Sequence, residues 1–206
     1  MKLKSTFVAF FGAMTFAANA AIIFDTTPRN DQANFVSNGT VAGGAGQTFN
    51  ADLSTVGAEV FLSSIRVDNR SSGAFGTDLY LAVYENDATD GTTWTPGALV
   101  GVSTNTQNTN TNGGIALWNF SLEELTDGQN YLFTFTDDAA GTSTVDVGVG
   151  VLLSAGNSDQ SAFSGGAIAF GGAHSIAAQI TTSVPEPSST ALIGLAGLGL
   201  VLRRRV

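Results

Sequence analysis

The sequence contains no cysteine, one histidine (His174), and lysine only at positions 2 and 4. The absence of cysteine excludes a disulfide framework, so the fold must rest on its hydrophobic core. Few side chains remain that serve as an activated nucleophile or its base. Glu123 and Glu124 are the obvious carboxylate pair for glycoside hydrolysis, but adjacent residues in a turn after a strand usually face solvent. We therefore predict that the protein is not an enzyme and needs no cofactor.

Basic residues are scarce and lie mostly at the two ends of the chain. Lys2, Lys4 and the three residues 203–205 account for five of the eight. Without these five, three arginines oppose 17 acidic residues, a balance of −14. Nucleic acids and anionic membrane surfaces require a cationic footprint, so neither is an expected partner. Divalent cations and neutral polymers suit this acidic chain better.

The N-terminus has the three parts of a secretion signal. Lys2 and Lys4 form the basic region, 7–17 form the apolar region, and Ala18-Asn19-Ala20 matches the small-x-small pattern of a cleavage site. We predict that residues 1–20 are a signal peptide and that the mature chain begins at Ala21. The secretion translocon is then an expected partner, and the protein is exported.

The C-terminus has an equally ordered layout. Val184-Pro185-Glu186-Pro187 precedes an apolar run, Ala191 to Leu202, which is followed by Arg203, Arg204 and Arg205. The two prolines favour an extended, exposed segment. As a helix, the twelve apolar residues would span ~18 Å, short of the ~30 Å hydrocarbon core, so the anchor is weak. The arginines would stay on the cytoplasmic side.

This order of motif, short hydrophobic helix and basic end resembles the PEP-CTERM sorting signal. The resemblance covers residues 183–206 and implies processing by an exosortase, a membrane enzyme of bacteria that make extracellular polysaccharide. It implies transient anchoring in the inner membrane, followed by a place at the cell surface or in the extracellular matrix. The alternative is an ordinary C-terminal anchor that is never removed.

The region between the two signals has the hydrophobic pattern of strands. Apolar side chains alternate at 145–151 and 131–135, and turn signals such as Asp127-Gly128 separate about ten such runs. We predict an all-β antiparallel sandwich or jelly roll over residues 21–182. Ser121 to Leu125 suggests one helical turn. Tyr131, placed just after a turn, is expected to form a tyrosine corner.

Three segments of this region follow one another in the same order as in known extracellular domains. Leu79–Tyr84, Trp118-Asn119-Phe120 and the turn from Leu125 to Tyr131 look similar to the choice-of-anchor domains, which precede interchangeable surface anchors. The resemblance implies a passenger domain for a surface-sorting signal, with no assigned chemistry.

Two acidic loops are candidates for a Ca²⁺ site. Asp87 and Asp90 lie in one loop, and Asp137 and Asp138 lie in another. Oxygen ligands in extracellular loops suit weak Ca²⁺ sites. The spacing in the first loop is poor, because an EF-hand alignment places Ala88 at a ligand position. Solvated acidic turns are the alternative.

Carbohydrate contact is the other candidate activity. Sugar sites pair an aromatic plane with amide or carboxylate groups. Trp94, next to Pro96 in a loop, is the better candidate for an exposed platform, whereas Trp118 lies in an alternating strand and is expected in the core. We therefore predict a noncatalytic surface or matrix protein associated with polysaccharide, and the alternative is a dedicated carbohydrate-binding module.

Overall fold

The computed structural model describes residues 19–26, 31–36, 39–54, 60–68, 78–89, 92–108, 114–143, 148–155, 161–169 and 174–184. One compact unit spans Ala20–Val184. Fourteen strands are present in the described residues: β1 Asn19–Asp25, β2 Asp31–Val36, β3 Gly46–Asn50, β4 Val60–Asp68, β5 Asp78–Asn86, β6 Pro96–Val102, β7 Gln107–Asn108, β8 Ile115–Leu125, β9 Asn130–Thr136, β10 Gly148–Ala155, β11 Ala162–Ser164, β12 Ala167–Ile168, β13 His174–Ile176 and β14 Ala178–Val184. A 3₁₀ turn covers Val41–Gly43. The predicted all-β class is confirmed.

The strands form an antiparallel β-sandwich. One principal sheet has the order β1-β14-β4-β8, and the other has the order β12-β11-β3-β9-β5-β6, with β7 paired to β5. A third, short sheet has the order β13-β10-β2, and β13 leads through Ala177 directly into β14. Both ends of the described chain therefore lie in the four-stranded sheet.

The main core lies between the two principal sheets. Strand β8 alternates strictly from Ile115 to Phe120, with every second side chain buried, as expected for a sheet with one solvated face. Its inward Trp118 is fully buried, packs against Phe135 at a ring-centroid distance of 5.7 Å, and donates its indole N–H to the Leu79 carbonyl at 2.8 Å. The prediction that Trp118 belongs to the core is confirmed.

A second hydrophobic cluster covers the opposite face of the larger sheet. We call it the outer cluster, and it consists of Ala82, Tyr84, Trp94, Leu132 and Phe163. Ala82 and Tyr84 point away from the main core because they alternate along β5 with the inward Leu81 and Val83. This sheet is therefore buried on both faces.

The tyrosine corner predicted at Tyr131 is present. The phenol oxygen accepts a hydrogen bond from the Thr126 backbone N–H at 2.8 Å, and the ring stacks on Phe49 at 5.5 Å. Asp127 and Gly128 form the turn between them, and Gly128 has a φ of 73°. The corner fixes the turn from β8 into β9, so Tyr131 has a structural role.

The prediction of a helical turn at Ser121 to Leu125 is wrong. These residues continue β8, where Leu62 lies opposite Glu123 and Ser64 lies opposite Asn119. The extra residues on β8 form an irregularity, and Leu122 takes a left-handed φ of 66°. Glu123 and Glu124 consequently lie in a strand and not in a turn after it.

Parts of the sequence prediction lie outside the described residues. These are the signal peptide up to Ala18, the predicted C-terminal helix, and Val145 and Val147 of the alternating run. Across the described ranges, no helix is long and apolar enough to cross a membrane.

Candidate functional site

The first and last strands of the domain lie side by side. Strand β14 is flanked by β1 on one side and by β4 on the other. Thr26 donates its backbone N–H to the Ala178 carbonyl at 3.0 Å, and Thr182 donates its hydroxyl to the Ala21 carbonyl at 3.2 Å. The two strands are therefore antiparallel, and the beginning of β1 lies beside the end of β14.

This arrangement brings together the residues nearest the two predicted signals. Ala20 is exposed and Ala21 is half-buried in β1, while Val184 is the last residue of β14. The predicted cleavage after Ala20 thus falls within a strand. The remaining predicted signal residues lie outside the described residues: Ala18, Pro185, Glu186, Pro187, Arg203, Arg204 and Arg205.

The end of β14 is held firmly in its sheet. Thr182 is fully buried and Ser183 is 9% exposed, lying opposite Leu62 and Phe61 of β4. A register shift falls between Thr181 and Thr182, where Ser63 donates its hydroxyl to the Thr181 carbonyl at 3.0 Å. The sorting motif therefore follows a paired strand with no linker before Pro185.

The exposed position predicted for Trp94 is wrong. The side chain is only 7% exposed, and its ring centroid lies 5.1 Å from that of Phe163. Its indole N–H donates to the Val41 carbonyl at 3.0 Å. A Cβ on Gly44 would lie 2.9 Å from the indole, so this glycine lets the backbone approach the ring. Trp94 is buried within the outer cluster, so it does not provide a stacking platform for sugar.

Asp87 lies at the start of the first acidic loop. Its backbone N–H donates to the Thr95 carbonyl at 2.8 Å, and its side chain is exposed. Its carboxylate sits against Gly97, where an added Cβ would overlap it. Asp90 lies outside the described residues. The loop therefore shows one carboxylate of the predicted pair beside the backbone of β6.

Asp138, in the second acidic loop, is engaged by its own turn. The carboxylate accepts hydrogen bonds from the Thr142 hydroxyl at 2.6 Å and from the backbone N–H groups of Ala140 and Thr142, each at 2.8 Å. These bonds, led by the Thr142 hydroxyl, lower the pKa of Asp138. Asp137 is exposed beside it.

The described residues contain no group of three or more histidine, aspartate or glutamate side chains that could hold a metal ion. Since Asp90 is not among them, a Ca²⁺ site at Asp87, Asp90, Asp137 and Asp138 stays a prediction. His174, the single histidine, begins β13 opposite Ala155.

A shallow, open depression of about 400 Å³ lies beside the outer cluster, a feature that sequence reasoning missed. Val41, Tyr84, Leu99 and Thr142 are among its lining residues. The Tyr84 hydroxyl donates to the Gly141 carbonyl, and burial, aided by the negative charge of Asp138, raises its pKa to about 12. Tyr84 is therefore a neutral hydrogen-bond donor at physiological pH. The near-continuous apolar run Leu79 to Tyr84 was the signal that both faces of β5 are covered.

Comparison with known protein families identifies the C-terminal segment. Residues 183–205 match the PEP-CTERM protein-sorting motif. This motif implies processing by an exosortase, a membrane enzyme, so the chain is an exported protein that is anchored transiently in the membrane before release. No curated protein matches the chain.

Proposed function

From the PEP-CTERM motif at residues 183–205, we propose that this protein is a noncatalytic component of the cell surface or extracellular matrix, associated with polysaccharide. The β-sandwich is the domain that is exported, and the C-terminal segment is the sorting signal that directs it. The observation that carries the proposal is the position of the motif directly after β14, the last strand of the compact unit.

A noncatalytic role is supported by how the domain uses its polar groups. The Asp138 carboxylate is engaged by its own turn, and the Tyr84 hydroxyl is engaged by a backbone carbonyl. Trp118 and Tyr131 likewise use their polar atoms to fix the fold. These groups stabilise loops and strands instead of being held ready for a substrate.

A polysaccharide-rich destination is supported by charge. The chain carries 17 acidic residues, and five of its eight basic residues lie in the two terminal signals. Such a surface repels polyanions but is compatible with neutral polymers. The alternative of a dedicated carbohydrate-binding module depended on an exposed Trp94, and that side chain is buried, so we do not propose it.

The sorting function is tested by expressing the full chain in a host that contains an exosortase. Intact-mass analysis of the released protein should give an N-terminus at Ala21 and a C-terminus near 185–187. Changing Pro185, Glu186 and Pro187 to alanine while keeping 191–205 should trap the protein in the membrane. Deleting the host exosortase is the matched control and should give the same trapping.

Release of the triple-alanine variant at the wild-type level would contradict the proposal. The destination needs a separate measurement, in which wild-type protein is fractionated from hosts with and without extracellular polysaccharide. We expect the protein in the matrix fraction of the first host and free in the medium of the second. Equal distribution in both hosts would argue against polysaccharide association while leaving sorting intact.

A further inference from the structure

The two principal sheets have four edge strands, β1, β8, β12 and β6. Natural proteins protect such edges from pairing with another chain by short strands, prolines and bulges. Strand β12 has only two residues, and β6 begins with Pro96 and has two register irregularities against β5. Both edges of the larger sheet are therefore poor templates for an added strand.

The edge of β8 is covered by polar groups of the segment that follows β6. The Asn105 side chain donates to the Leu117 carbonyl at 2.9 Å and accepts from the Asn119 backbone N–H at 2.7 Å. Thr104 donates its backbone N–H to the Asn119 carbonyl at 2.7 Å. The backbone groups that an added strand would need are therefore already bonded in this part of β8.

Strand β1, the fourth edge, lacks these protections. It runs for seven residues, Asn19–Asp25, with no proline or lysine, and Asp25 is its only charged residue. Among the described residues, β14 is the one strand that pairs with it. Residues 22–24, two isoleucines and a phenylalanine, have high strand propensity, and Ile22 is 56% exposed. A long edge of this composition is a template for a further strand.

We propose that β1 pairs with β1 of a second copy of this chain, so that the two four-stranded sheets form one continuous sheet. A two-fold axis uses the same strand on both sides, so a single open edge is sufficient and the assembly closes as a dimer. Backbone hydrogen bonds between the two strands replace those to water at the edge. This inference goes beyond the proposed sorting function and does not depend on removal of the tail.

Charge selects both the occupant and the register of this edge. With the mature chain beginning at Ala21, the antiparallel register that sets Ile23 opposite its counterpart pairs all of residues 21–25. Ala21 then lies opposite Asp25 of the second copy, so the new α-amino group meets that carboxylate on each side of the axis. Asp25 is exposed, and the Gln179 side chain donates to its carboxylate at 2.9 Å. The strongly acidic remainder of the domain repels a second copy, whereas this edge attracts it.

The first test measures the mass in solution of the exported protein, produced from the full chain, by sedimentation equilibrium at about pH 6.5, where an α-amino group is protonated. We expect wild type to be a dimer. Asp25→Lys sets two cations opposite each other and should raise the dissociation constant at least ~10-fold. Asp137→Lys makes the same change of charge at another exposed aspartate, so it is the matched control and should stay dimeric.

A monomeric wild type would overturn the inference, and so would an Asp25→Lys variant that dimerises as well as wild type. Protein that keeps its tail is measured in mild detergent, so a failure of the sorting proposal leaves this result readable.

Cysteine cross-linking locates the interface, because the chain has no native cysteine. Opposite residues of an antiparallel pair have Cα atoms about 4.5–5.5 Å apart, which suits a disulfide. Ile23→Cys should therefore cross-link under mild oxidation at least ~10-fold more than Val100→Cys. The two positions are matched, since both side chains are partly buried against the main core and both lie on edge strands. Equal cross-linking would overturn pairing through β1, and a product with a mass other than two chains would show that the occupant is not a second copy.

Discussion

The main core and the outer cluster are two hydrophobic regions built in different ways on one sheet. In the main core, alternate side chains of two facing sheets meet, as Trp118 of β8 meets Phe135 of β9. In the outer cluster, loops and short elements cover the opposite face, as Trp94 meets Phe163, 69 positions further along the chain. Burial in the main core follows from the two-residue period of the strands alone. Burial in the outer cluster depends on which distant loops pack against the sheet.

The difference explains why one tryptophan was placed correctly and the other was not. Trp118 lies in an alternating strand, so its neighbours in the sequence indicate its burial. Trp94 lies between polar residues, and nothing local indicates that Val41 and Phe163 enclose it. Burial by distant segments is invisible to periodicity. The two indoles therefore provide a direct experimental comparison of the two regions.

Removing the indole from the main core should have the largest effect on stability. Trp118→Ala would leave a cavity between the sheets and remove the indole hydrogen bond to the Leu79 carbonyl, which we expect to cost about 4 kcal/mol of unfolding free energy. Urea unfolding of the mature protein, followed by far-UV circular dichroism, measures this change. A loss below ~1 kcal/mol would mean that the main core does not depend on this residue.

The same truncation in the outer cluster should cost less. Trp94 is 7% exposed and lies beside an open depression, so Trp94→Ala is expected to lower the unfolding free energy by about 2–3 kcal/mol. The matched control is Trp94→Phe, which keeps most of the packing and leaves the Val41 carbonyl bonded to the Gly44 N–H. It should cost about 1 kcal/mol.

A Trp94→Ala cost equal to that of Trp118→Ala would show that the two regions contribute alike. A loss of unfolding free energy near zero would instead indicate that Trp94 is exposed, as its sequence context predicts. Either result would break the ranking of the two regions, and both are read from the same urea titration.

Much of the fold was predictable because the chain signals its strands locally. Alternation in β8 and β9 and the turn before Tyr131 predicted the sandwich and its tyrosine corner, and both are confirmed. The structure has 14 strands in the described residues where about ten runs were predicted, because strands of two or three residues, such as β7 and β11, carry little periodic signal. At Ser121–Leu125 helical spacing was misleading, because pairing with β4 overrides local preference.

For the candidate site too, features signalled by neighbouring residues were predictable, whereas features formed by distant residues were not. Both terminal signals were predicted from ordered local features; the C-terminal one matches a known motif, and the N-terminal one stays a prediction. That Ala21 and Thr182, near the inner ends of these segments, lie side by side was not predictable, because it arises from the pairing of β1 with β14. Likewise, the sequence located the acidic residue Asp138 but could not show that Thr142 and Ala140 already satisfy its carboxylate.

The smallest expected effect concerns Tyr84 of the outer cluster and its response to alkaline pH. Its pKa is raised from 10.0 to about 12, first by burial and then by Asp138. The folded state therefore retains a proton that the unfolded state has lost, and the resulting stabilisation is present below pH 10 and declines as pH rises toward 12. Tyr84→Phe removes this titration together with the hydrogen bond to Gly141.

We expect Tyr84→Phe to be less stable than wild type by about 1 kcal/mol at pH 8. The two unfolding free energies should converge between pH 10 and 12, because only wild type loses the contribution of this hydroxyl. The other tyrosines titrate in both proteins, so their effects cancel in the difference. Urea unfolding at closely spaced pH values gives that difference directly. Parallel curves up to pH 12 would show that Tyr84 is more solvated than its place in the outer cluster implies, and would weaken the distinction between the outer cluster and the exposed surface.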